Sequence, residues 1–388
     1  VLEERLRFIA ALVDEDDSRT MTELCRQFGI SRNTGYKYKG RFELTGVDGL
    51  KDRSRAPLRH SNETPARIRD LLVEARQLHP TWGPKKLLGW LTRKYPEEEH
   101  WPAVSTAGEI LKRHGLITPR KKRRRTPPQT EPFIAVKRPN DVWCADFKGW
   151  FRTGDGSRCE PLTITDACSR YVLVCTRVPT TRQVHVRPHF ERAFRKYGMP
   201  SAIRTDNGPP FASRAVGGLT RLSTWWITLG IRPERIEPGE PQQNGRHERM
   251  HLTLKQETAS PPRRSLRAQQ RAFNRFVQEF NYERPHEALG NHAPADVYEP
   301  SHRQYPRKPP DVVYPPYFAT RSVRRDGYFK WGGRYTHLTE ALAGHRVGFE
   351  PSTDDCWRVY FGPHYLGMFD EVAGKVISPP SPRRPRPR

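Results

Sequence analysis

Three acidic residues lie in contexts that suit phosphoryl chemistry. Asp146 lies among apolar residues in the segment 142–147, which has the composition of a strand. Asp206 begins an Asp-Asn-Gly turn sequence, and Glu248 lies at the start of a helical pattern. A buried carboxylate without a partner is costly, so each needs a cation or a hydrogen-bond donor. If the three converge on one sheet edge, their oxygens suit Mg²⁺, and two such ions would stabilise an in-line phosphoryl displacement.

Each of the three acids also has an ordinary explanation. Asp206 could simply form a turn, Glu248 could be a plain helix acid, and Asp146 could join an ion pair in a strand. The strand, strand-end and helix-start contexts together favour a joint role. In that case Asn207 and Gly208 would shape the turn that holds Asp206.

The net charge indicates a polyanionic partner. The 388 residues include 68 Lys and Arg against 43 Asp and Glu, a formal charge of +25. Residues 1–130, 131–300 and 301–388 carry +10, +8 and +7, so the positive charge is not confined to one tail. A soluble protein with a generally basic surface is the plain alternative. This distribution favours a nucleic acid as the partner.

The N-terminal segment has the pattern of a helix-turn-helix DNA-binding domain over 1–55. A capping box at Thr20-x-x-Glu23 starts one helix, Gly29 ends it, and Ser31 can cap the next. That second helix carries side chains suited to phosphates and base edges, namely Arg32, Asn33, Lys37 and Lys39. The alternative is a plain helical bundle with a solvated polar face.

A second helical, helix-turn-helix-like DNA-binding domain is predicted over 60–118, with Thr106 as the cap of its last helix. A basic linker follows at 119–131. Its run of Lys and Arg repels itself and is expected to follow phosphates, with Arg123 and Arg124 as DNA contacts. The alternative for this linker is solvation alone.

Periodicity changes after the linker, and a catalytic core is predicted over 132–300. We expect strands over 142–147, 161–166, 171–178, 202–205 and 231–236, and helices over 181–197, 212–229, 242–257 and 265–281. This order predicts an α/β layer architecture. Short alternating strands over 315–377 predict a small β-barrel, and the Pro- and Arg-rich segment 378–388 is expected to be disordered.

Four motifs carry a family resemblance. They are Trp143-x-x-Asp146, Thr205-Asp-Asn-Gly208, Asn244-Gly-x-x-Glu248 and Asn281-x-x-Arg284-Pro-His286. In this order they resemble the integrase-core transposases of bacterial insertion sequences, which are similar to retroviral integrases. The resemblance covers nearly the whole chain and implies an RNase H-like core, a mixed sheet flanked by helices. It also implies that Asp146, Asp206 and Glu248 form a DDE triad that binds Mg²⁺ or Mn²⁺, with two ions expected.

The resemblance also implies an activity. Such a protein would bind the terminal inverted repeats of its element, cleave at the ends and transfer the 3′-OH to target DNA. Joining two ends implies a homo-oligomer, a dimer or larger, on transposon-end and target DNA. We therefore expect a cytoplasmic protein associated with the bacterial nucleoid. No run approaches the roughly 18 apolar residues of a membrane helix, and no signal-peptide pattern is present.

The sequence departs from the family pattern in two ways, and one lysine near Glu248 is a candidate DNA contact. Between Asp206 and Glu248 lie 41 residues, more than is common in the family, so the insertion with Gly217-Gly218 and Trp225-Trp226 must lie outside the site. Helix-turn-helix patterns replace the zinc module of retroviral integrases, and the six cysteines include no C-x-x-C pair, so reduced thiols are expected. Lys255 shares a helix face with Glu248 and could contact a phosphate at the transposon end, or could simply be solvated.

Two other classes of protein remain open. One is a catalytically inert helix-turn-helix regulator, which would need no acid triad. The other is an RNase H-like nuclease, which would cleave without joining strands. Asp166 is a further acid near the triad in sequence, but its position at a strand end favours a structural role.

Overall fold

The computed structural model describes residues 1–14, 16, 18–52, 63–117, 134–213, 215–237, 241–353 and 355–378. The described residues belong to two compact units, Val1–Glu63 and Thr64–Arg388. The predicted linker with Arg123 and Arg124 lies outside the described residues, as does all of the predicted tail except Ser378.

The first unit contains a helix-turn-helix. Its helices are α1 (Leu2–Val13), α2 (Met21–Gln27) and α3 (Arg32–Thr45). The predicted capping box is present, because the Thr20 hydroxyl accepts from the Glu23 N–H and the Glu23 carboxylate accepts from the Thr20 N–H. Gly35 lets α3 approach α2, since a Cβ there would lie 2.5 Å from Cys25 Sγ.

The second unit begins with a three-helix domain. It consists of α4 (Ala66–Leu78), α5 (Pro84–Lys94) and α6 (Val104–Arg113), packed around a shared apolar core that includes Leu72, Trp82, Leu87 and Leu111. The predicted cap at Thr106 is wrong, because α6 already begins at Val104 and has no side-chain cap. Packing of Trp101 and Ala107 into the same core sets the start of this helix.

A mixed sheet forms the centre of the second unit. Its strands are β1 (Val142–Phe147), β2 (Phe151–Arg152), β3 (Arg158–Asp166), β4 (Val172–Val178), β5 (Ala202–Thr205) and β6 (Arg232–Arg235). The order is β2-β3-β1-β5-β6, and β4 also pairs with β3. Strand β3 runs antiparallel to both of its neighbours β1 and β4, whereas β5 and β6 run parallel to β1.

Helices bury the sheet in two apolar clusters. They are α7 (Gln183–Tyr197), α8 (Arg221–Thr228), α9 (Gly245–Thr258), α10 (Leu266–Gln278) and the short α11 (Pro294–Val297). One cluster joins α7 and α8 to the sheet through Phe190 and Trp226. The other joins α9 and α10 to β3 and β4 through Met250 and Phe273. This is the predicted α/β core with helices on a mixed sheet.

The segment before α8 differs from the prediction. Helix α8 begins at Arg221 rather than near 212, because Gly217 and Gly218 adopt positive φ and Thr220 caps the helix. The Gly217 carbonyl lies 3.4 Å from His364 Nε2, and Trp226 is fully buried in the core. The extra residues of this region thus pack against other parts of the fold.

The C-terminal module is not confirmed as a barrel. Its strands are β7 (Ala319–Ser322), β8 (Tyr328–Trp331), β9 (Arg334–His337), β10 (Arg346–Thr353), β11 (Cys356–Phe361), β12 (His364–Asp370) and β13 (Lys375–Ile377). Five form an antiparallel sheet in the order β13-β12-β11-β10-β7, and β8-β9 forms a separate hairpin. The short hairpin covers the sheet with Phe329 and Trp331, and among the described strands no ladder closes the two sheets.

The described helices include none long and apolar enough to cross a membrane. All six cysteines have free thiols, and Cys25, Cys144, Cys159 and Cys175 are buried.

Candidate active site

Asp146 and Asp206 lie side by side on neighbouring strands. In the parallel pair β1–β5, Ala145 is in register with Thr205, and each aspartate is the next residue of its strand or strand end. Adjacent strands lie about 4.8 Å apart. The sheet therefore brings together two acids that are 60 positions apart in the sequence.

Glu248 lies in the first turn of α9, which packs against β1. Its side chain is exposed, and the positive end of the helix dipole favours a carboxylate there. Glu248 and Asp206 both act electrostatically on Asp146 and raise its pKa. The structure thus brings the three predicted acids to one place.

The three carboxylates repel one another because they carry like charges. Burial, Asp206 and Glu248 raise the pKa of Asp146 to about 7, although the Phe147 N–H donates to Asp146 Oδ1 at 2.7 Å. Burial also raises the pKa of Asp206. Among the described residues, no Lys or Arg nitrogen lies within 4 Å of these three carboxylates. Such an oxygen-rich, negatively charged site fits divalent cations such as Mg²⁺.

The turn after Asp206 holds that carboxylate in place. The Gly208 N–H donates to Asp206 Oδ1 at 3.2 Å, and a Cβ at Gly208 would lie only 3.0 Å from Asp206 Oδ2. The Asn207 amide donates to the Ile236 carbonyl at 2.6 Å. Both residues therefore have the positions predicted for them.

Two buried histidines behind Asp146 were not anticipated from the sequence. His247 and His251 lie one turn apart on the buried face of α9, and the Thr163 hydroxyl contacts both Nε2 atoms, at 2.7 Å and 2.6 Å. Thr165 Oγ1 lies 2.8 Å from His247 Nδ1. His251 Nδ1 lies 3.7 Å from Asp146 Oδ2. The i, i+4 histidine pair next to Glu248 was the available sequence signal.

Burial disfavours the charged form of both imidazoles. Burial lowers the pKa of His247 to about 3. Burial, with smaller contributions from His247 and Lys148, lowers the pKa of His251 to about 2. With Asp146, the two histidines form a group that could hold a metal ion, with one ligand atom from each lying within 4.8 Å of the others.

The predicted DNA contacts are placed on exposed surfaces. Arg32, Asn33, Lys37 and Lys39 are exposed on α3 of the first unit, and Lys255 is exposed on α9. Their contact with DNA stays a prediction.

A stripe of arginines on α10 was also missed. Arg267, Arg271 and Arg275 recur every four residues on the exposed face of this helix, so they lie along one side of it. They follow Arg263 and Arg264, which are also exposed. The i, i+4, i+8 spacing of the arginines was visible in the sequence, but only the apolar residues of this helix were used in the prediction.

Other polar motif residues have structural roles. Asp166 is buried and accepts from the Asn140 N–H, the Cys168 N–H and the Ser169 N–H and hydroxyl. Asn281 hydrogen-bonds both backbone groups of Val172 on β4. These contacts agree with the structural role favoured for Asp166.

Family models match both halves of this architecture. Models described as integrase core domains match residues 136–241 and 229–294. A helix-turn-helix domain model matches residues 4–57, and a homeodomain-like domain model matches residues 34–111. The chain is therefore a helix-turn-helix protein with an integrase core.

Curated relatives extend this assignment. The chain is 28% identical over 242 residues to the insertion element IS407 31.7 kDa protein of Burkholderia multivorans, covering 61% of this chain and 81% of that protein. It is 28% identical over 246 residues to the insertion element IS476 39.2 kDa protein of Xanthomonas euvesicatoria, covering 62% and 68%. The Pol polyprotein of feline endogenous virus ECE1 is 33% identical over 95 residues, covering 24% and 8%. The integrase core and helix-turn-helix domains and the similarity to insertion-element proteins together support a transposase of the retroviral integrase-core type.

Solved structures with overlapping segments include retroviral integrases. The magnesium complex of the HTLV-2 integrase catalytic core matches 42% of this chain and 98% of that chain, at 17% identity and a TM-score of 0.33. A simian T-cell lymphotropic virus intasome matches 71% and 97%, at 17% identity and a TM-score of 0.37. The assignment rests on the family models and the curated relatives, and not on these low TM-scores.

Proposed function

We propose that this chain is a DNA transposase. It binds the terminal inverted repeats of an insertion sequence, cleaves at the element ends and transfers the resulting 3′-OH to target DNA. The observation that carries the proposal is the meeting of Asp146, Asp206 and Glu248 at one sheet edge, where two of them raise the pKa of the third.

The three carboxylates are the proposed ligands of two divalent ions, Mg²⁺ or Mn²⁺. Their oxygen donors and their lack of a Lys or Arg partner among the described residues fit such ions. When bound there, paired ions supply charge stabilisation for the attacking and leaving oxygens of an in-line displacement. Asp146 and Asp206 are fixed by the sheet, whereas Glu248 is carried by α9.

Two displacements at phosphorus complete the proposed reaction. In the first, a water oxygen forms a new P–O bond at the element end, and the bond to O3′ breaks to leave a free 3′-OH. In the second, that 3′ oxygen forms a bond to a target phosphorus, and the bond from this phosphorus to its original 3′ oxygen breaks. The chain's carboxylates would hold the ions beside the reacting phosphorus, and no Ser or Tyr nucleophile is used.

DNA binding is assigned to the helical domains and to basic surfaces. In this proposal α3 reads the groove with Arg32, Asn33, Lys37 and Lys39, while phosphate contacts set the register. Lys255 contacts a phosphate beside the site, and the arginine stripe on α10 holds a duplex nonspecifically. Pairing of two ends calls for a homo-oligomer, a dimer or larger.

A strand-transfer assay tests the proposal. Purified protein is mixed with a labelled duplex that carries the element end, a supercoiled target plasmid and Mg²⁺ or Mn²⁺. We expect nicks at the end and end–plasmid joint molecules, both lost in Asp206→Asn while duplex binding is retained. Binding without nicking would support the inert regulator, and nicking without joint molecules would support the nuclease.

A further inference from the structure

The hydrogen bonds behind the acid triad fix where one imidazole lone pair points. Thr163 Oγ1 contacts three groups: the Asp146 carbonyl at 3.1 Å, His247 Nε2 at 2.7 Å and His251 Nε2 at 2.6 Å. A hydroxyl has one proton and two lone pairs. All three bonds form only if Thr163 donates to the carbonyl and both Nε2–H groups donate to Thr163.

This proton assignment has a consequence for the two Nδ1 atoms. With Nε2 protonated, each neutral imidazole carries a lone pair at Nδ1. His247 Nδ1 accepts from the Thr165 hydroxyl at 2.8 Å. His251 Nδ1 forms no hydrogen bond with the described residues, and it faces Asp146 Oδ2 at 3.7 Å.

A cation between these two facing lone-pair donors would satisfy both of them. The distance of 3.7 Å is too long for a hydrogen bond. It slightly exceeds the about 3.0–3.4 Å that separates two ligands on one ion with bonds of about 2.1 Å. The Nε2–H bond to Thr163 is also the contact that orients a metal-binding histidine. His251 is 5% exposed, so its ring is held by packing.

We propose that His251 Nδ1 and Asp146 Oδ2 are joint ligands of one divalent ion, so that one of the two ion positions is a mixed nitrogen–oxygen site. This inference rests on the proposed function, because it shares Asp146 with the triad. A nitrogen ligand favours a first-row transition metal such as Mn²⁺ over Mg²⁺, since Mg²⁺ strongly prefers oxygen. His247 orients α9 and is not a ligand, because both of its nitrogens are used by threonines.

Metal binding to the full-length protein, free of DNA, tests the assignment. Mn²⁺ affinity is measured from the free Mn²⁺ paramagnetic resonance signal, and Mg²⁺ affinity by competition. Nitrogen coordination is read from ¹⁴N modulation of the electron spin echo of bound Mn²⁺. We expect ¹⁴N coupling in the unmodified protein and about tenfold or greater preference for Mn²⁺.

The two histidines provide matched variants. His251→Asn and His251→Gln should abolish the ¹⁴N coupling and weaken Mn²⁺ binding about tenfold, with Mg²⁺ affinity changed less than about threefold. His247→Asn should keep the coupling, although it lowers the melting temperature. Coupling that persists in both His251 variants, or that is absent in the unmodified protein, overturns the inference.

Failure of this inference and of the proposed function can be told apart. If Mn²⁺ binds without ¹⁴N coupling and the binding is lost in Asp146→Asn and Asp206→Asn, the mixed site is wrong and the acid triad stands. If no divalent ion binds even at millimolar concentration, both are wrong.

Discussion

The two ends of α9 each carry a glutamate, and the two glutamates differ in burial and in ion pairing. At the first end, Glu248 is exposed beside Asp146 and Asp206 and has no ion pair among the described residues. At the other end, Glu257 is mostly buried and is held by Arg284 Nη1 at 2.7 Å and by the Thr81 hydroxyl at 2.6 Å. One helix therefore carries an unneutralised acid and a fully paired acid nine positions apart.

The difference separates the charge for which we propose a role in chemistry from charge that serves packing. Arg284 lies within 5.6 Å of the Trp82 ring centre, and Thr81 precedes α5, so the Glu257 end joins the three-helix domain to the core. A paired buried charge fixes one arrangement, and its removal leaves its partner without compensation. An unpaired cluster of carboxylates instead leaves the site ready for cations.

Replacement of glutamate by glutamine should lower activity at the first end of α9 and stability at the other. Glu248→Gln removes a proposed ion ligand, so nicking and strand transfer should fall by about a thousandfold or more. Because Glu248 has no ion pair among the described residues, the urea midpoint should not decrease. Single-turnover nicking and urea denaturation measure the two effects. Residual activity within tenfold would remove Glu248 from the triad.

At the other end, Glu257→Gln should act on stability. It leaves the Arg284 guanidinium buried without a counter-charge, at a cost of about 2–4 kcal/mol in the free energy of unfolding. Nicking per folded molecule should change less than about threefold. Urea denaturation measures the loss, and Arg284→Met added to Glu257→Gln should recover part of it. The exposed pair Lys85–Glu287 gives the control, because Glu287→Gln should cost no more than about 0.5 kcal/mol. Equal costs at the two sites would contradict the distinction.

The meeting of Asp146, Asp206 and Glu248 in one region could be predicted from the sequence because each acid carries a local signal; their role as a catalytic triad stays a prediction. An apolar strand around Asp146, a Gly-containing turn after Asp206 and a helix start at Glu248 each restrict the backbone within a few residues. The capping box at Thr20 and the strands of the core are local in the same sense. The α/β layer architecture then followed from the order of the elements, and the mixed sheet from the family resemblance.

Features set by distant contacts could not be predicted. His251 and Thr163, which contact each other, are 88 positions apart in the sequence, and Glu257 and Thr81 are 176 apart. The periodicity of a single helix or strand contains no information on contacts between such distant residues. The start of α6 was mistaken for a related reason, because Trp101 packs against the core of the three-helix domain and the helix begins before the predicted cap at Thr106. The C-terminal strands could be predicted, but their closure into a barrel, which depends on pairing between distant strands, is not confirmed.

The stability of the folded protein should depend on pH through the carboxyl group of Asp146. The pKa of Asp146 is about 7 in the folded protein and about 4 when unfolded. Protonation thus stabilises the folded state, and this contribution is lost as pH rises from about 4 to 7. In chelator-treated protein, Asp146→Asn should gain stability relative to the unmodified protein over this range, on the order of 2–4 kcal/mol.

An exposed aspartate supplies the control for this titration. The Thr153 hydroxyl and the Ser157 N–H lower the pKa of Asp155, so its contribution is lost as pH falls, the opposite sign. The relative stability of Asp155→Asn should therefore rise at acidic pH. Urea denaturation at several pH values measures both variants. A difference between Asp146→Asn and the unmodified protein that does not change with pH would show that burial and the neighbouring carboxylates leave the pKa of Asp146 unshifted.

The smallest predicted effect is that of Lys255→Ala on DNA binding, which tests how far DNA contact extends along α9. Lys255 lies on the exposed face seven residues beyond Glu248 and two before the paired Glu257. If it neutralises one phosphate, Lys255→Ala should weaken end-DNA binding about threefold to tenfold and lower the salt slope by about 1. Titrations of labelled end duplex at several salt concentrations measure both quantities. Lys196→Ala on α7, a helix that packs in the other apolar cluster of the core, should change neither. If both variants match the unmodified protein, DNA leaves α9 before Lys255, and contact is confined to the turn that carries Glu248.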